Sequence, residues 1–109
     1  MQAFLVMTTA GSAEEASRIA GELVGRRQAA CVNLVPGIRS VYRWQGKVCE
    51  EQEVLLLVKT LREDLEGVQA TIRELHSYEL PEILCFQADH GEPAFLRWIA
   101  AGVDKTSPE

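Results

Sequence analysis

Long apolar runs are missing from this sequence: nothing approaches the roughly 20 consecutive apolar residues of a membrane-spanning helix, which excludes such an anchor. The start, Met1-Gln2-Ala3-Phe4, has neither the basic region nor the small-residue cleavage site of a secretory leader, so a cytoplasmic location is expected. Paired cysteines are missing too. Cys31, Cys49 and Cys85 are odd in number, far apart and never in a C-x-x-C pair, so they read as reduced thiols and not as a disulfide framework. Basic residues are outnumbered: 11 Lys and Arg face 16 Asp and Glu, for a net charge of -5. Neutralising phosphates takes clustered cations, and only Arg26-Arg27 are adjacent, at a helix end where they complement the dipole. An RNA-reading sheet needs exposed aromatics on its middle strands, whereas the strand centre here is Val54-Leu55-Leu56-Leu57-Val58; no nucleic-acid partner is expected. Nucleophile elbow, P-loop and dinucleotide fingerprint are all absent, which leaves no sequence support for an enzyme. There is no internal repeat and no low-complexity segment.

What remains is ordinary globular composition in 109 residues, enough for one domain over residues 1–103 with a flexible polar tail over 104–109. Ala3 to Thr8 is short, apolar and partly β-branched, the pattern of a buried strand. Ser12 with Glu15 forms a capping box, and Ala16, Ile19, Ala20 and Leu23 follow at helical spacing. The next strand pattern runs from Ala30 to Val35, breaks at Pro36-Gly37 as at a bulge, and resumes from Ile38 to Trp44. Gln45-Gly46 supplies a turn, and Lys47 to Glu53 leads into the apolar run Val54 to Val58, closing a hairpin. Thr60 with Glu63 reads as a second capping box, opening a helix whose Leu65, Val68, Ile72 and Leu75 face the sheet. A strand over Glu82 to Phe86 and a helix beginning near Pro93 complete the chain. The order predicts an α+β fold: a ferredoxin-like βαββαβ antiparallel sheet with a long hairpin and an added C-terminal helix.

Each hairpin arm spans about 14 residues, roughly 45 Å, about twice the first and last strands, so the tip must overhang. A lone two-stranded ribbon is marginal in water, and strands apolar on both faces need cover on both. A partner subunit meets both needs; the third helix covering the second face is the monomeric alternative.

Four blocks stand in a particular order: Ala29 to Gly37, Ser40 to Lys47, Glu53 to Thr60 and His76 to Ile83. In that order and spacing the chain resembles the CutA family of divalent-cation tolerance proteins. The resemblance implies a homotrimer assembled through the hairpins, a cytoplasmic location, and binding of or response to Cu2+ or another divalent cation, with no established reaction. A metal could be met by His76 with Glu79 and Glu82 across one turn; the bland alternative for His76 is a capping or solvated group. Copper-binding members carry a cysteine near the end of the first strand, where this chain has Met7-Thr8-Thr9. Cys31 matches the family's second-strand cysteine, and the reading as a small buried hydrophobe outweighs that as a ligand. Cys31, Tyr42, Trp44, Lys59 and Tyr78 match family positions expected at an intersubunit cleft or interface, with Glu82 also lining it and Lys59 free to neutralise an anion or pair with Glu82. The alternative function is a trimeric scaffold or small-ligand signalling protein on which metal acts indirectly.

Overall fold

The computed structural model describes residues 1–106. Seven main elements follow one another: β1 (Ala3–Ala10), α1 (Ala13–Gly25), β2 (Cys31–Trp44), β3 (Lys47–Leu61), α2 (Leu65–Leu75), β4 (Leu84–Gln87) and α3 (Pro93–Gly102). The strands form one antiparallel sheet in the order β2-β3-β1-β4, which is the expected α+β arrangement with its terminal helix. Alternation along β1 sends Val6, Thr8 and Ala10 to one face, opposite Val58, Leu56 and Val54 of β3, and all six are buried. Onto that face α1 brings Ala16, Ile19 and Leu23, and α2 brings Val68 and Ile72, making the main core. At roughly 1.5–3 kcal/mol per large buried aliphatic side chain, this cluster is where most of the fold's stabilisation resides.

Among the described residues the second face is covered only at one end. Ala3 and Leu61, a cross-strand pair, pack against Ile99 and Val103 at and just beyond the end of α3. The approach is close enough that a Cβ on Gly102 would lie 2.8 Å from the Cβ of Ala30, so glycine is what lets the helix meet the residue leading into β2. Beyond α3 the face keeps Leu5, Met7, Leu55 and Leu57 half-buried, with Leu84 and Phe86 exposed on β4. The third helix therefore shields part of this face and leaves the rest open.

The long hairpin is confirmed at 14 and 15 residues, and the molecule measures 46 × 26 × 22 Å along its axes. Pairing of β1 with β3 ends at Ala10–Val54, while β2 and β3 continue together to Trp44–Lys47. The distal half of the ribbon thus projects beyond β1. The interruption at Pro36-Gly37 is a bulge: three steps on β2 from Val35 to Ile38 match two on β3 from Leu55 to Glu53. Proline is tolerated because β2 is an edge strand, and its missing N–H costs no ladder bond on the outer side. At the tip Gln45 and Gly46 have φ of 52° and 80°, the two positive values that a tight hairpin turn matching strand twist demands.

Three local expectations need correction. Thr60 does not cap a helix; it stays in β3 opposite Phe4, fully buried, and its hydroxyl donates to the Gln28 carbonyl at 2.6 Å. The strand ladder and that bond outweigh the local capping signal, so α2 starts only after a single 3-10 turn over Arg62–Asp64. Only half of the first capping box forms: Ser12 Oγ accepts from the Glu15 N–H, while the Glu15 carboxylate turns toward His76. The last strand is displaced to Leu84–Gln87, which leaves Glu82 and Ile83 in the loop before it. Of the tail expected from residue 104, Lys105 is fastened to Asp64 at 2.7 Å and to the Arg27 carbonyl at 2.8 Å; residues 107–109 lie outside the described residues.

Candidate functional site

The overhanging ribbon and the loop after α2 enclose an open cleft of about 970 Å³. Its floor comes from alternation on the hairpin. Ser40, Tyr42 and Trp44 share one face of β2, and the register places Glu51 and Glu53 on the same face of β3, opposite Ser40 and Ile38. Its other wall is the loop from Tyr78 to Leu84.

The loop is held from behind by His76, the residue at the C-terminal end of α2, whose side chain is fully buried. One ring nitrogen, Nε2, lies 2.6 Å from the Thr9 carbonyl, and the other, Nδ1, accepts the Tyr78 N–H at 3.0 Å. Those two bonds assign the neutral tautomer, with Nε2 donating to the carbonyl. The Glu15 carboxylate waits 3.5 Å from Nδ1, with Oε2 buried and without a partner. The imidazole and phenol rings pack 4.6 Å apart. The same loop is tied to the hairpin by Tyr78, whose hydroxyl donates to Glu53 Oε2 at 2.7 Å. Burial, and then the acceptor and negative charge of Glu53, hold the Tyr78 phenol well above its ordinary pKa. Desolvation, followed by neighbouring Glu51, raises Tyr42 as well. Desolvation first, and neighbouring carboxylates second, thus favour the protonated form of both phenols.

The residues expected from the sequence separate into three places. Tyr42, Trp44, Tyr78, Glu79 and Glu82 do come together around the cleft. His76 does not join them as a surface group: both nitrogens are already engaged, so it braces the wall. Cys31 and Lys59 are paired across β2 and β3 near the other end of the sheet, and Lys59 bonds Asn33 and approaches the Cys31 sulfur at 3.9 Å. The expected pairing of Lys59 with Glu82 is accordingly not formed, and Cys31 is half-buried on the open face instead of fully enclosed. The polar residues not foreseen are Thr9, Ser40, Glu51 and Glu53. A signal for the glutamates was available: with a two-residue turn at Gln45-Gly46, every second residue onward from Lys47, through Cys49 to Glu51 and Glu53, shares a face with Tyr42 and Trp44.

A metal ion needs several donors converging at short range. Among the described residues no three His, Cys, Asp or Glu side chains are so grouped, and His76 would have to surrender an existing bond to bind. One chain by itself therefore does not present a finished metal site.

Sheet order, overhanging hairpin and carboxylate-lined cleft define a ferredoxin-like protein with an open cleft at the root of an extended ribbon. Residues 4–102 match the family described as CutA1 divalent ion tolerance protein, and the chain belongs to that family. The divalent-cation tolerance protein CutA of Thermus thermophilus is 45% identical over 95 residues, covering 87% of this chain and 92% of that one. A chloroplastic CutA 1 of Oryza sativa is 37% identical over 95 residues; these cover 87% of this chain and 54% of the longer plant protein. The crystal structure of CutA from Xylella fastidiosa superposes with a TM-score of 0.93 at 38% identity, over 95% of this chain and all of that one, 100%.

Proposed function

We propose that the protein is a cytoplasmic homotrimer that serves divalent-cation tolerance by binding, not by catalysis, and that any metal site is completed by side chains from more than one subunit. The observation that carries this reading is the cleft itself: Glu79 and Glu82 stand on its exposed loop at the root of a hairpin that has no third strand beside its distal half among the described residues. Family membership supplies the link to divalent cations. Leu5, Met7, Leu55 and Leu57, half-buried on the open sheet face, supply apolar surface suited to a second copy. Oxygen donors from two chains would provide the convergence that one chain lacks. The test pairs mass measurement in solution with calorimetric titration by Cu2+ and Zn2+. A trimer with saturable binding that weakens in Glu79→Gln/Glu82→Gln is expected; a monomer, or no saturable binding, refutes it.

The lack of a preassembled three-donor cluster in the described chain favours one second reading: a trimeric scaffold or small-ligand signalling protein on which metals act indirectly. A trimer that binds neither ion would establish that version over the first.

A further inference from the structure

We infer that the cleft binds an organic cation, an alkylamine or polyamine carrying two or more ammonium groups separated by methylenes. The inference rests on the proposed function in taking this cleft as the place where the protein meets its ligand, and it names the chemistry of that ligand.

Size is the first ground. A cavity of about 970 Å³ is at the upper end of small-molecule pockets, far more room than a coordinated ion fills. The distribution of charge is the second. Four glutamates, Glu51, Glu53, Glu79 and Glu82, line the cleft, yet no three of them converge among the described residues. Carboxylates set apart along a wall match positive charges set apart along a chain, whereas a hard dication wants its oxygens at about 2–2.6 Å around one point. The lining is the third. Tyr42, Trp44 and Tyr78 offer aromatic faces, which attract ammonium groups through the ring quadrupole. Beside the acidic loop positions the lining includes Leu80, Pro81 and Ile83, apolar surface that suits methylene spacers and offers nothing to a bare ion. No Lys, Arg or His of this chain lines the cleft among the described residues, so its own charges favour a cationic ligand over an anionic one.

Within that lining the roles divide. Glu53 is buried and already accepts the Tyr78 hydroxyl, so it positions the ring that forms one wall. Glu51 neighbours Tyr42. Glu79 and Glu82, exposed on the loop, are the carboxylates free to take ammonium groups. Because a divalent cation would call on the same two side chains, amine and metal should compete.

The two tryptophans are Trp44 in the cleft and Trp98 on α3, so Trp98→Phe leaves a single emitter at the site. Spermidine added at physiological salt should change Trp44 emission saturably, and calorimetry on the unaltered protein should return the same affinity. Glu79→Gln/Glu82→Gln should weaken that affinity at least tenfold while the assembly keeps its mass. No saturable change, an equal change from MgCl2 at matched ionic strength, or undiminished affinity in the double variant would overturn the inference. Oligomer mass and the Cu2+ titration are read separately. A trimer that binds Cu2+ and not spermidine sinks the amine alone, and a monomer that binds spermidine sinks the proposed function alone.

Discussion

Replacing Tyr78 by Phe removes one oxygen and tests how the cleft is built. That hydroxyl donates to Glu53, a carboxylate only 7% exposed, across 25 residues of sequence. A hydrogen bond to a charged acceptor contributes about 1.5–3 kcal/mol, and leaving the acceptor buried without its donor moves the cost toward the upper value. The phenol is itself partly solvated, so about 1.5–2 kcal/mol is the expected loss. At roughly 4 °C per kcal/mol for a domain of this size, Tm should fall by about 6–8 °C, measured at fixed protein concentration so that assembly does not shift the midpoint. A Tyr78→Phe protein within 1 °C of the parent would show that the bond does not hold the loop to the hairpin. The sign of the alkaline effect checks the same point. A phenol whose pKa is raised in the folded state contributes stability that is present below the unfolded value of 10.0 and is lost as pH rises through the folded value. Stability should therefore decline more steeply above about pH 10 in the parent than in Tyr78→Phe. Phenolate absorbance should show neither of the two tyrosines ionising at its ordinary pKa until the chain unfolds.

Two backbone predictions follow from local geometry. Gly102→Ala would place a methyl 2.8 Å from the Ala30 Cβ, and overpacking should outweigh the gain in helix propensity, with a net loss of about 1 kcal/mol by denaturant titration; a stabilised variant would contradict the close approach. Gln45→Asn should stabilise by about 0.5 kcal/mol, because asparagine accepts the left-handed conformation that Gln45 adopts at φ 52°; an unchanged or lower denaturation midpoint would count against the turn assignment.

The architecture was legible in the sequence because its determinants are local and periodic. The unbroken apolar run Val54 to Val58, helical spacing from Ala16 to Leu23, the Gln45-Gly46 turn and the Pro36-Gly37 break each depend on neighbours a few residues away. The family likewise emerged from blocks of adjacent residues. Where local signals competed with long-range contacts, they were a poor guide. Thr60 carries a good cap signal, yet β1 and the Gln28 carbonyl claim it for the sheet.

The cleft shows the same division at the site itself. Its aromatic and acidic residue types, and even the strand face holding Tyr42 and Trp44, follow from the chain's own pattern. Tertiary structure alone decided that Tyr78 would reach Glu53 and that His76 would be a buried brace held by Thr9 instead of an open ligand. It also decided that Lys59 would turn to Asn33, so that the only charged side chains in the cleft's described lining are glutamates. A sequence specifies the donors and acceptors that each segment carries. Which of them are spent on one another is settled only when packing brings distant segments within a hydrogen bond's reach, and what is left unspent is the site.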